Sequence, residues 1–384
     1  MGTNGTVALG HLRRMTDGTG LLQHARYDLP DRRHGYCLDD NARALWLLAR
    51  MVQGGGEADE LVPVYAAFVD HAWDGEAHGG RGRFRNFMDY DRSWLPDGSG
   101  GPEGGEDEDA HARALLALAH AATAPWPGDV PRWAATLSCE AWRAPSLPLA
   151  HRSPRAWAAS LVAADALCGA SDDCSGVLRE ARDHAAAAAP VLARRMVERF
   201  HAAARPDWPW WEEALAYDNA RLCEGALAGA RWEPALEEMG LASLRWLAGV
   251  QSDGEGRFRP FGNEGFGRAG VTAAAWDGQP IEAWASVDAS LRAARVTGDG
   301  RWRNEAWRAH DWFVGANAHG APLADRDTGS CADGLQRDGV NRNRGAESTL
   351  AWLHVALSAR DGFDVRGRLK KATGERAPDG KAMG

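Results

Sequence analysis

DDNARALWLLAR, residues 39–50, sets two acidic residues ahead of a run that is apolar on nearly every side. The same phrase returns as EDAHARALLALAHA at 108–121, SPRAWAASLVAADAL at 153–167 and YDNARLCEGALAGA at 217–230. It closes with IEAWASVDASLRAA at 281–294 and RGAESTLAWLHVAL at 344–357. A helix that is apolar all round must be buried all round. Six such helices cannot all be surface elements, and their many small alanines let them approach closely.

Amphipathic stretches rich in Arg and Glu lie between them, at 5–16, 58–73, 130–143, 177–203, 233–249 and 300–316. These read as outer helices, so twelve helices alternate outer and inner. Key positions in the inner phrases align as Asp40, Asp109, Arg155, Asn219, Glu282 and Glu347, spaced 69, 46, 64, 63 and 65 residues apart. That period suits a helical hairpin with its loops, and it is too long for a TPR-like array of about 34 residues. Six hairpins with buried inner helices close into an all-α (α/α)6 barrel, with an open stacked solenoid as the alternative.

The connections are asymmetric. Inner-to-outer turns such as MVQGGG at 51–56 are short, while outer-to-inner loops at 17–38, 74–106, 204–215, 252–280 and 317–343 are long. The third, near 144–151, is shorter. All of them enter inner helices at their N-termini, so all lie on one face of the ring. Loops this long in a compact chain are usually functional or disordered, and their aromatic anchors argue for order. Alternating Phe and Arg in GRFRNFMDYDRSW (82–94) and GRFRPFGNEGFG (256–267) predict short β-hairpins there, and 21–36 has the same outline. The chain reads as one domain over 1–365, followed by a fraying tail at 366–384 without apolar periodicity.

Composition narrows the function. Of the 384 residues, 45% are hydrophobic and 25% charged, and the net charge is −9 with no basic stripe, so nucleic acid is not an expected partner. Neither a signal-type segment nor a membrane-spanning run is present, which points to the cytoplasm. Six cysteines without CxxC pairing fit free thiols better than a disulfide framework. There is no HExxH, EF-hand loop or phosphate-binding glycine loop, so no metal or cofactor is expected. The 18 Trp against 5 Tyr and 9 Phe suit both a large core and a carbohydrate site, where a ring covers the apolar face of a sugar.

One acidic residue in the first turn of a helix is ordinary, since capping and the helix dipole together favour it by about 0.3–2 kcal/mol. Here many converge on one face: Asp39 with Asp40, Asp107 to Asp109, Glu212, Glu213, Asp218, Glu282 and Glu347. Crowded carboxylates repel one another unless arginine, ligand or protons compensate, and crowding separates their pKa values into acid and base. Glycoside hydrolysis needs such a pair, at about 6.5–9.5 Å for inversion, and neighbouring helices about 8–10 Å apart could supply that gap. The catalytic pair is therefore expected among Asp40, Asp109, Glu282 and Glu347. Tyr36, Asp39, Asn41, Arg155, Glu213, Tyr217 and Asn219 are expected to line a sugar site. Trp210 and Trp211 are expected to stack on the sugar, and Asn343 and Arg344, from the polar run 339–348, to bind it.

The stretches 11–45, 279–291 and 338–353 give the chain a family likeness. It resembles, over about 5–360, a bacterial domain of the six-hairpin glycosidase type. Such domains occur alone or fused behind glycosyltransferases, in settings that also hold mannoside phosphorylases. The resemblance implies this fold, a carbohydrate partner and a mannose-containing substrate. Two rival functions fit the same barrel. A sugar 2-epimerase would use paired histidines, for which His111 and His354 are the inner-helix candidates. A non-catalytic glycan-binding domain would keep the cup and tolerate loss of any carboxylate.

Overall fold

The structure is a computed structural model that describes residues 7–75, 80–96, 105–143, 149–170, 176–262 and 276–360. The tail 366–384, the second half of the 256–267 motif and the side chain of Asp107 lie outside the described residues. Among the described residues there are twelve α-helices: α1 (Gly10–Met15), α2 (Leu38–Gln53), α3 (Val62–Ala72), α4 (Gly105–Thr123), α5 (Val130–Arg143), α6 (Pro154–Cys168), α7 (Gly176–Ala203), α8 (Ala220–Gly229), α9 (Ala235–Val250), α10 (Pro280–Thr297), α11 (Arg301–Phe313) and α12 (Ala346–Arg360).

The even-numbered helices carry the repeated phrase. Each packs on the next, and α12 returns to α2, so the inner ring closes. Outside it, α3, α5, α7, α9 and α11 cover α2, α4, α6, α8 and α10, and α1 covers α12. This is the (α/α)6 barrel expected from the repeat. The first outer helix is shorter than its sequence pattern, spanning six residues and ending where Thr16 bridges to Leu21.

Small side chains set the ring's tightness. A Cβ placed on Gly225 of α8 would come within 2.3 Å of the Ala158 Cβ on α6, so these two helices touch backbone to backbone. Local signals start the helices where the repeat needs them. Ser153 caps α6 by accepting the Ala156 N–H, with Pro154 in the first turn. The Cys37 sulfur caps α2 by accepting the Asp40 N–H. Inside the ring, Trp284 stacks on His354 at 4.3 Å and Trp46 lies 4.6 Å from the same imidazole. These rings plug the barrel.

Short strands tie the long loops together on the face where the inner helices begin. β1 (Ala25–Arg26) pairs with β2 (Leu29–Pro30), and β3 (Tyr36–Cys37) with β6 (Phe87–Met88). β4 (Trp73–Asp74) pairs with β5 (Arg83–Phe84), and β7 (Gly334–Gln336) with β8 (Gly339–Asn341). The β3–β6 pair joins the loop before α2 to the loop before α4. A bridge from Gly278 to Leu335 joins the loops before α10 and α12. No helix among the described residues is long and apolar enough to cross a membrane. The five described cysteines are free thiols, and Cys174 lies outside the described residues.

Candidate active site

Four arginines in the first turns of the inner helices form the base of the cup: Arg43 on α2, Arg113 on α4, Arg155 on α6 and Arg221 on α8. All four are buried or nearly so, and each carries its charge into the ring because carboxylates meet it. Arg43 Nη1 donates to Asp40 Oδ1 at 3.2 Å and to Glu347 Oε2 at 2.9 Å, while its Nη2 lies 3.3 Å from Asp39. Arg113 donates to Asp39 at 2.9 Å and to Asp218 at 3.3 Å. Arg155 donates to Glu212 at 2.8 Å and to the Tyr217 carbonyl at 2.6 Å. Arg221 holds Glu224 and, at 3.2 Å, Asp288. Removing one partner from a buried pair leaves the other charged and unpaired, at a cost of about 3–5 kcal/mol.

The carboxylates divide by environment. Burial drives Asp40 up to about 7; Arg43 opposes that, while Asp39 and Glu347 reinforce it. Glu282 is also driven up to about 7 by burial, against hydrogen bonds from Asn219. Burial raises Asp109 despite Arg113, the Tyr217 hydroxyl and Ser153. Asp218 is the reverse case: burial would raise it, but Arg221, Arg113 and Arg43 together hold it below the ordinary carboxylate value. Asp218 also has a left-handed backbone with φ of 50°. A non-glycine residue in that region is strained, and such strain collects at functional sites.

Above the arginines opens a cleft of about 790 Å³, within the usual range for ligand sites. Asp39, Asp40, Arg43, Arg113, Tyr217 and Glu347 form its floor, and Asp277, Gln279, Asp333 and Gln336 from the loops form its wall. Two of the carboxyl groups differ sharply in access. The Glu347 side chain is 40% exposed and that of Asp40 only 7%.

No model of a known protein family matches the chain, and no curated protein matches it. Solved structures do. Cellobiose 2-epimerase from Spirochaeta thermophila is 13% identical, with a TM-score of 0.60 over 91% of this chain and 92% of that one. The GH76 α-mannanase from Bacteroides thetaiotaomicron is 9% identical, with a TM-score of 0.59 over 94% and 93%. A D-mannose isomerase is 11% identical, with a TM-score of 0.56 over 91% and 94%. At these identities the likeness establishes the fold.

Of the expected catalytic residues, the structure brings Asp40 and Glu347 together in the open cleft under one guanidinium. It does not bring Asp109 or Glu282 there. Asp109 sits under the Tyr217 hydroxyl and accepts Ser153 Oγ at 2.7 Å, beside a closed void of about 10 Å³. Glu282 accepts Asn219 Nδ2 at 3.0 Å and Gln251 Nε2 at 3.2 Å, which consumes it as a brace between α10, α8 and the end of α9.

The expected binding residues divide the same way. Asp39 and Tyr217 line the cleft. Asn343 lines its extension beside β8. Asn41 is wholly buried and braces the loop at Leu21, and Asn219 is spent on Glu282. Tyr36 is buried, with its hydroxyl on Asp17 at 2.7 Å. Arg155 lines the closed void. Arg344 turns away to Ser330 at 2.6 Å. Trp210 and Trp211 have no exposed surface: they pack among Phe200 of α7 and Trp246 of α9, so neither can stack on a sugar. Glu213 points outward to Arg205 with 71% of its side chain exposed.

Several cleft residues escaped the sequence reading. Arg43 and Arg113 carried a visible signal, because the tetrapeptide DNAR occurs at both 40–43 and 218–221 and DAHAR at 109–113. An arginine repeated on a buried helix needs carboxylate partners, and that pattern marks the floor. Asp277, Asp333 and Gln336 sit on loops, where no periodicity selects them.

Proposed function

We propose that this chain is a glycoside hydrolase of bacterial oligosaccharides or polysaccharides, with Asp40 as general acid and Glu347 as nucleophile. The observation that carries the reading is the pair itself: two carboxyl groups in one open cleft, on one arginine, in opposite environments. Burial that raises Asp40 suits it to the acid role, and the greater exposure of Glu347 suits it to meet the sugar. Asp40, protonated up to about 7, gives its proton to the glycosidic oxygen as the bond to the anomeric carbon breaks. The Glu347 carboxylate forms the new bond to that carbon. Asp40, now ionised, takes a proton from water, and the water oxygen displaces Glu347. Arg43 supports the negative charge on both as it moves.

Helix spacing led to the expectation of inversion. Because one nitrogen holds both groups, at 3.2 and 2.9 Å, the two oxygens it contacts are at most about 6 Å apart, which favours the shorter carboxyl spacing of a retaining enzyme over the wider one of an inverting enzyme. The mechanism proposed is therefore double displacement with retention. Among the described residues His24 is the one histidine lining the cleft. His354 is fully buried against Trp284, and His111 reaches the Phe84 carbonyl. The inner-helix histidines that an epimerase reading would call on therefore lie away from the cleft; His24 itself meets His34 of the adjoining loop at 4.7 Å between ring centroids.

Mannose-containing substrates come first for testing, on the resemblance above and the mannanase of like fold. The experiment incubates the protein with manno- and gluco-oligosaccharides and follows new reducing ends and their first-formed anomer by proton NMR. Release of the retained anomer, abolished by Glu347→Gln, is expected. No release from any oligosaccharide, or interconversion of free mannose and glucose instead, overturns it.

A further inference from the structure

The cleft continues sideways into an annex of about 700 Å³. Cleft and annex share His24, Asp333, Gln336 and Asn341, so a chain of sugars could occupy both. The annex lies between the β1–β2 hairpin, the 3-10 turn Arg32–His34 and the segment running from β8 to α12. Its charge is opposite to that of the molecule, whose net charge is −9. Arg26, Arg33 and Arg342 line it.

Two of the neighbouring acids are already paired with cations, and the third holds a backbone N–H. Asp31 is gripped by Arg33 through two contacts of 2.5 and 2.9 Å, with His34 at 3.9 Å. Asp28 pairs with Arg14 at 2.7 Å. Asp333 accepts the Gly345 N–H at 2.7 Å. Arg26 and Arg342 are exposed, and among the described residues neither has a carboxylate partner. Two unneutralised guanidiniums facing one groove suit an oxyanion, which Arg grips through its planar fork.

A third residue points to a sugar rather than a bare ion. Tyr27 lines the annex with 58% of its surface exposed, an unusual state for a large aromatic ring. Its backbone is left-handed at φ 58°, and Asn343 Oδ1 holds it there by accepting the Tyr27 N–H at 3.0 Å. A strained residue kept in place by a neighbouring loop, with an exposed aromatic side chain at a groove, has the form of a stacking platform.

We propose that the annex is a second subsite that takes an acidic sugar, with Arg26 and Arg342 on its carboxylate or phosphate ester and Tyr27 under its ring. The inference rests on the carbohydrate reading of the cleft and names its substrate class as anionic glycans. Its test reads binding instead of turnover. Glu347→Gln protein is titrated calorimetrically with a neutral mannotriose, a same-length glycan ending in a uronic acid, one ending in a phosphate monoester, and inorganic phosphate. At least one acidic glycan should bind about five- to tenfold tighter than the neutral one at low salt, and the preference should shrink at high salt. The pair Arg26→Gln and Arg342→Gln should erase the preference, and Tyr27→Ala should weaken neutral and acidic glycans alike.

Equal binding of neutral and acidic glycans overturns the annex alone, as does a preference that survives the double arginine variant. Inorganic phosphate binding as tightly as the acidic glycans does so too. If acidic glycans are preferred and the wild-type protein still cleaves none, the hydrolase reading fails and the annex stands.

Discussion

Replacing Asp40 by Asn separates catalysis from stability at a single atom. The amide keeps the shape and cannot deliver a proton, so the general-acid contribution is lost, worth about 10²–10⁴-fold in rate. The loss should be largest for substrates with poor leaving groups and small for aryl glycosides, whose leaving group needs little protonation. Wild-type kcat/KM should fall as pH rises through about 7, where Asp40 gives up its proton; the variant should lose that limb. Stability moves in a calculable way. The folded state raises Asp40 from 3.8 to about 7, so folding favours its protonated form. That contribution is whole below pH 3.8, declines as pH rises, and is gone above about 7. At 1.36 kcal/mol per unit, wild type should lose about 3 kcal/mol from this group between pH 5 and 8, and Asp40→Asn should not. Urea unfolding at both pH values measures the difference, and a stopped assay on alkyl and aryl glycosides measures the rate. Full activity on alkyl glycosides, or an unchanged alkaline limb in the variant, would refute the assignment.

Glu282→Gln should keep kcat within about threefold, because the group braces Asn219 and Gln251 away from the cleft; it should also lose the alkaline destabilisation that wild type shows as Glu282 ionises near pH 7, read by the same unfolding titration. Cys37→Ala removes a thiol that lies 3.2 Å from Asp40 and lowers its pKa, so the alkaline limb of the pH–rate profile should move upward. Gly225→Ala would gain about 1 kcal/mol of helix propensity on an exposed helix. Here the added methyl meets Ala158 at 2.3 Å, and overpacking should cost a net 1–3 kcal/mol, about, and lower the melting temperature measured by calorimetry.

The barrel was legible because one physical constraint repeats six times: alanine-rich helices apolar on all sides have nowhere to go but inward. The face that carries the cleft was legible too, since long loops all lead into the N-termini of the same helices. The finer site was not. At the level of residue type, Asp40, Asp109 and Glu282 are alike, an acid in the first turns of an inner helix. What separates them is the partner across the ring: Glu347, through the shared Arg43, for Asp40, Tyr217 for Asp109, Asn219 for Glu282. Those pairings join residues far apart in the chain. Tryptophan misled for a related reason. An alanine-lined ring leaves gaps that only indoles fill, so the richness in Trp reflects the small size of its neighbours; Trp210 and Trp211 are buried accordingly.

The ring closes at the seam between α2 and α12, and the proposed acid and nucleophile stand on opposite sides of it. Arg43 and Glu347 are 304 residues apart. At about 5–20 residues per second, a ribosome delivers the second about 15–60 s after the first. Until α12 arrives, α2 and, once it is made, α10 each present a flank with no neighbour, an apolar slot the width of one helix. A nascent chain stopped short of α12 would therefore be inert and sticky at once. The proposed site and a closed ring both wait on α12, so premature termination before it should yield protein for the cell's proteases and chaperones instead of partial activity.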